Sequence, residues 1–141
     1  MSAPFQPERY RLLFYLAALW NVSAALVALA APEFHAQTFF GSSVSAVDPV
    51  SAVDTQIFWV SVLFFGVGYW LVARDPSKNH GLVFIAAAGK TVVGVRWLWA
   101  YGEGVMTSFV ILGAVGDLVF ALLFAVFLMK ARAHRVHSVA D

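Results

Sequence analysis

The chain has 141 residues, of which 61% are apolar and 12% charged, and its mean hydropathy is +0.79. A soluble domain runs nearer half apolar and a quarter charged, so these values specify an integral membrane protein. The absence of cysteine excludes disulfides, thiolate metal sites and thiol redox chemistry, and a net charge of +1 gives no reason to expect a nucleic-acid partner.

A membrane-spanning helix needs roughly 20 mostly apolar residues, and four stretches meet that requirement. The first, about residues 10–31, stops at Pro32, a residue suited to a position just past a helix end. Ala28-Leu29-Ala30 resembles a signal-peptidase site, but the apolar stretch exceeds the roughly 7–15 residues of a signal peptide's apolar core, so it reads as a true span. The second, about 55–73, closes at Arg74-Asp75-Pro76. The third, about 80–101, ends in Gly102-Glu103-Gly104, and the fourth, about 106–129, ends at Lys130. A transmembrane barrel would need alternating segments of roughly 10 residues. These runs are longer and uniformly apolar. The expected fold is all-α: one four-helix transmembrane domain over residues 1–141.

Loop charges give that bundle a direction. Arg9, Arg11, Arg74, Lys78, Lys130, Arg132 and Arg135 lie before span one, between spans two and three, or after span four. The other two loops hold Glu33, Asp48, Asp54 and Glu103, without Lys or Arg. The positive-inside rule then places both termini in the cytoplasm and the long 32–54 loop outside.

That loop begins Pro32-Glu33-Phe34-His35-Ala36-Gln37-Thr38-Phe39-Phe40, whose four-residue spacing puts Phe39 under His35 on one helical face. It reads as an interfacial half-helix or as a lid over an external cavity. The tandem Ser45-Ala46-Val47-Asp48 and Ser51-Ala52-Val53-Asp54 is too short to be a structural repeat and reads as a surface duplication. Tyr10, Trp59, Tyr69, Trp70, Trp99 and Tyr101 fit aromatic belts near span ends. Trp20 is deep, and is expected to serve packing.

Three ionisable residues fall inside spans: Lys90, Arg96 and Asp117. A charge at a helix centre costs on the order of 2.5–3.5 kcal/mol on the insertion scale, so each requires an explanation. At 1.5 Å per residue, Lys90 lies roughly 15 Å from one end of span three and Asp117 roughly 16 Å from the opposite end of span four. These helices run antiparallel through a short turn, so the two charges meet near mid-bilayer. Asn21 reaches the same depth in span one. Ala86 and Gly94 flank Lys90 at four-residue spacing, Gly113 and Ala121 flank Asp117, and Ala17 and Ala25 flank Asn21. Small residues at that spacing allow close helix approach, which predicts one bundle-interior cluster of Asn21, Lys90 and Asp117. It serves either as a clasp fixing helix register or as a proton or anion site. Arg96, about five residues from its span end, snorkels to the interface or lines an external anion vestibule.

Other chemistry finds no support. Gly89-Lys90-Thr91 lacks the earlier glycine of a phosphate-binding loop, which is Phe84 here, and lies mid-span. His35 and His80 belong to opposite membrane faces, which argues against a haem held within the chain, and His134-x-x-His137 sits in the tail as a weak metal pair at best. With Asp117 the sole acid within a span, paired-carboxylate and Ser–His–Asp chemistry are both missing. No enzyme site, cofactor or metal is expected.

Gly66-Val67-Gly68-Tyr69 leading to Asp75-Pro76, then Gly89-Lys90 and Gly116-Asp117-Leu118-Val119-Phe120, resembles a group of uncharacterised small four-span bacterial inner-membrane proteins. The likeness covers spans two to four, with Trp20-Asn21 and Pro32 of span one. It implies an inner-membrane location, marks Lys90 and Asp117 as features of the type, and carries over no activity. Three readings follow: an accessory or structural subunit of a membrane complex, a minimal oligomeric transporter or channel, and a lipid- or quinone-binding component whose cofactor another chain supplies. The expected partners are the lipid bilayer and other membrane subunits or a second copy of the chain.

Overall fold

The computed structural model describes residues 5–43 and 48–140, with side chains described as far as His134. Among these residues a 3-10 turn at Pro7–Tyr10 is followed by five α-helices: α1 Arg11–Ala30, α2 Pro32–Phe40, α3 Pro49–Arg74, α4 His80–Gly102 and α5 Phe109–Ala140. Four of them, all but α2, are long and apolar enough to cross a membrane. Their outer faces carry exposed Leu12, Leu19, Phe64, Val92, Leu112 and Leu122, the surface that lipid rather than water accommodates. This is an all-α four-helix transmembrane bundle.

The helix ends follow from local chemistry. Helix α3 starts at Pro49, six residues before the apolar run at Thr55, because Asp48 caps it: its carboxylate accepts the backbone N–H groups of Val50 at 3.0 Å and Ser51 at 3.2 Å. Pro49 occupies the first helical position, where no N–H is needed. The second copy of the tandem is thus the first turn of α3, while Ser45, Ala46 and Val47 of the first copy lie outside the described residues. Helix α5 runs beyond Met129 because the tail Lys130-Ala131-Arg132-Ala133-His134 contains no breaker. Gly41 ends α2 in the left-handed conformation, φ +67°, where glycine carries no steric cost.

The bundle is built from two close pairs. Helix α1 lies along α3 and α4 along α5, whereas α3 and α4 make little contact. Glycine sets both approaches. A Cβ on Gly66 would stand 2.7 Å from Val22 of α1, and one on Gly94 would stand 3.0 Å from the Ala114 carbonyl of α5, distances only a hydrogen can occupy. Aromatic side chains join the pairs at the end that carries both termini. Phe14 stacks on Phe124 at 5.2 Å and meets Phe127 edge-on at 5.1 Å, and Tyr69 meets Phe124 at 5.4 Å.

The opposite end is closed by α2. His35 stacks on Phe39 at 4.6 Å and meets Trp59 edge-on at 5.0 Å, while Phe39 meets Trp97 at 5.6 Å and Phe109 at 5.3 Å. The Phe39 carbonyl accepts the Thr107 N–H at 2.8 Å, and the Thr107 hydroxyl donates to the Thr38 carbonyl. Helix α2 is therefore fastened across this end by its aromatic face and by the turn between α4 and α5. Two aromatics expected in interfacial belts belong instead to the interior: Trp59 is 4% exposed and Tyr69 2%. Depth along the helix does not set the face. Both residues fall on the side of α3 that turns inward with Gly66. Trp70, Trp99 and Tyr101 are exposed.

Candidate functional site: a charged cluster between two helix pairs

Each of the two pairs contributes to one polar layer between the aromatic ends. Asn21 comes from α1, Lys90 from α4 and Asp117 from α5. The Lys90 ammonium donates to Asn21 Oδ1 at 2.8 Å and to Asp117 Oδ1 at 2.5 Å. Only 5% of the Lys90 side chain is exposed, against 13% for Asp117. Its cationic head also faces the rings of Tyr69 at 5.7 Å and Phe120 at 5.5 Å, within the roughly 6 Å over which a ring quadrupole attracts a cation. The pair is neutral overall. Its desolvation is offset only because geometry and hydrogen bonds are both in place.

The supporting bonds explain the neighbours in sequence. Gly66 brings the backbone of α1 against α3, so the Asn21 amide donates to the Val62 carbonyl at 3.3 Å. That orients the amide oxygen towards Lys90. Gly116 does the same for Asp117. A Cβ there would overlap the Trp20 ring, and the space it leaves admits the indole, whose Nε1–H donates to Asp117 Oδ1 at 3.2 Å. Trp20, expected to serve packing, is thus a member of the polar cluster. The adjacency of Trp20 to Asn21 and of Gly116 to Asp117 was the available signal. Neither adjacency states which helix the partner comes from.

The small residues flanking the cluster are at contact positions. Ala17, Ala25 and Ala86 are fully or almost fully buried, and Gly113 lies under Trp97, whose ring would be 2.6 Å from a Cβ. Arg96 stands apart from all of this. It is 67% exposed, lies 3.6 Å from Glu103, and does not line the cleft described next. His35 and His80 are at opposite ends of the bundle, the latter against Phe127 at 5.4 Å. Among the described residues no group of three or more metal-ligating side chains occurs, and the side chain of His137 lies outside them.

Where α3 and α4 diverge, a cleft of about 260 Å³ reaches the cluster. Trp20, Asn21, Lys90 and Asp117 form its back, aromatic side chains of α3 and α4 form its walls, and the exposed Ser61 and Gly89 stand at its rim. The Ser61 hydroxyl donates to the Ile57 carbonyl within α3. Among the described residues, nothing beyond its own turn of helix lies within 4 Å of where a Gly89 Cβ would be. Asp117 Oδ1 receives both Lys90 and Trp20, and among the described residues no hydrogen bond reaches Oδ2.

Among the described residues His35 is the other buried polar side chain, and its Nε2 has no hydrogen-bond partner there. Burial among Phe39, Phe40 and Trp59 pushes the imidazole below its ordinary value, which favours the neutral ring. In the α3–α4 turn, hydrogen bonds from Lys78 and Ser77 hold the Asp75 carboxyl down at about 2. Comparison of the chain with protein-family models, with curated proteins and with solved structures finds no match.

Proposed function

We propose that this protein is an accessory or structural subunit, or an assembly partner, of a membrane complex, with Asn21, Lys90 and Asp117 acting as an internal clasp between its two helix pairs. The observation that carries the reading is that the mid-bundle charges are directed at one another. Lys90 draws Asn21 from one pair and Asp117 from its own, and Trp20 ties Asp117 back to α1. A conduit for ions or protons needs polar groups continuing towards both faces. Here aromatic packing adjoins the polar layer on either side: Phe14 and Phe124 towards the termini, Trp59 and Trp97 towards α2. That packing favours the clasp over the alternative, a minimal oligomeric transporter or channel using Lys90 and Asp117 as a proton or anion site.

The proposal includes a bacterial inner membrane with both termini cytoplasmic, supported by the loop charges and by the sequence resemblance. The subunit reading is tested by mild-detergent extraction of tagged protein from its native membrane. Migration as part of a larger complex containing other chains is the expected result, and migration as a monomer or a homo-oligomer contradicts it. Cysteine placed at Ser43 tests the topology: labelling by an impermeant reagent in intact cells is expected, and protection until lysis reverses the orientation.

A further inference from the structure

The cleft between α3 and α4 combines two properties that a purely structural clasp does not require. Its walls are aromatic: Phe58, Trp59, Phe65 and Trp97. Its back holds unused hydrogen-bonding capacity. Lys90 has three ammonium hydrogens and directs two of them at Asn21 and Asp117, while among the described residues none donates to Asp117 Oδ2. Lys90 and Asp117 both line a cavity of about 260 Å³, just below the roughly 300–1,000 Å³ typical of ligand pockets.

We infer that this cleft binds a membrane-dissolved phenolic or hydroquinone-type ring, whose hydroxyl meets the Lys90–Asp117 pair and whose apolar tail leaves between α3 and α4. The chemistry follows from the groups present. A hydroxyl oxygen accepts the third Lys90 hydrogen while its own hydrogen goes to Asp117 Oδ2, so a single ring oxygen satisfies both sides. An anionic head would bring a second negative charge beside Asp117, and a carbonyl alone would leave Oδ2 without a donor. The flat ring fits walls that engage aromatics by offset or edge contacts at centroid separations of about 4.5–7 Å. The rim places Gly89 at the exit, where the absence of a side chain leaves the gap open towards the lipid-facing surface.

The inference rests on the clasp, because Lys90 and Asp117 must be paired and fixed to present these valences. The two fail separately: the clasp is read by stability coupling, the cleft by ligand binding. The test uses full-length protein in lipid nanodiscs and radiolabelled decylhydroquinone, with empty nanodiscs subtracted. Saturable binding is expected, with displacement by unlabelled decylhydroquinone. Its dimethyl ether, which keeps the ring and removes the O–H donors, should compete about tenfold or more weakly, the scale of a lost hydrogen bond to a charged group. Oleate should compete no better than the ether. Gly89→Leu places a side chain in the empty rim and should abolish saturable binding while helix content and melting are retained. Lack of saturable binding by the wild type overturns the inference, as does equal competition by the ether or by oleate. Undiminished binding by a folded Gly89→Leu protein also overturns it. Should Gly89→Leu fail to fold, Ser61→Trp obstructs the same gap from the facing rim. Loss of saturable binding is expected there too, and undiminished binding overturns the inference equally.

Discussion

Removing one member of the Lys90–Asp117 pair should cost far more than removing both. Lys90→Met leaves a carboxylate whose remaining bond is the one from Trp20 at 3.2 Å. Asp117→Leu leaves an ammonium, only 5% exposed, whose remaining partner is Asn21 at 2.8 Å. Breaking a buried pair costs about 3–5 kcal/mol, whereas apolar replacement of both partners is often near neutral. Each single variant is therefore expected to lose about 3–5 kcal/mol, lowered to the extent that the stranded group gives up its charge. Asp117→Leu should be the worse of the two, because Lys90 is the more deeply buried. The double variant should recover most of the loss, giving a coupling of about 3 kcal/mol or more. A double-mutant cycle measured by unfolding in detergent reads that coupling directly. Additivity within about 0.5 kcal/mol, the behaviour of independent sites, would refute the pairing. A double variant as unstable as the worse single would show that the charges are irreplaceable in this packing.

Three further perturbations probe the surroundings. Because burial holds the His35 imidazole below its ordinary value of 6.5, the unfolded or undocked form binds the proton more readily. The contribution of His35 to docking α2 is then intact above about pH 6.5 and declines as pH falls towards the lower folded value. Protection of the α2 amides against hydrogen exchange, corrected for the slower intrinsic exchange in acid, should fall on acidification in the wild type and not in His35→Phe; an equal fall in both would assign the effect to another group. Gly116→Ala drives a methyl group into the Trp20 ring and should destabilise by about 1–3 kcal/mol, as overpacking does, whereas Gly81→Ala, with open space around it, should be neutral or slightly stabilising. Equal melting shifts for the two glycine variants would contradict the close approach of Trp20. Arg96→Gln should change stability by no more than about 1 kcal/mol, the scale of an exposed ion pair, and a loss as large as that of Lys90→Met would show Arg96 to be buried in the membrane-embedded protein.

The membrane class, the number of long helices and the meeting of Lys90 with Asp117 were legible in the sequence for one physical reason. In a chain so apolar, each charge within a span needs a partner, and helical rise alone places these two at a common depth. The small residues around them pointed to the face that turns inward. Rise says nothing about azimuth, so depth alone misplaces the aromatics. Trp59 and Tyr69 sit at depths that suit a belt, yet they turn into the bundle with Gly66, and Trp20 reaches Asp117 through space that only Gly116 leaves. The early start of α3 was equally hidden by hydropathy, because it depends on the Asp48 carboxylate rather than on apolar residues. The division into two close pairs, and with it the cleft between α3 and α4, depends on which glycines face which helix. One sequence does not state that.

The central claim is that Lys90 and Asp117 are in direct contact inside the folded bundle, and it can be measured without altering either residue. Protein with ¹⁵N-labelled lysine and ¹³Cγ-labelled aspartate, reconstituted in bilayers, can be examined by solid-state dipolar recoupling. Lys78 and Asp75 form an ion pair of their own in the α3–α4 turn, so Lys78→Gln removes that background. Direct contact predicts a remaining Nζ–Cγ coupling from a separation within about 4 Å, the reach of an ion pair, and its loss in Lys90→Met. Absence of any such coupling in the folded Lys78→Gln protein would mean that the two charges lie apart and that the clasp does not exist.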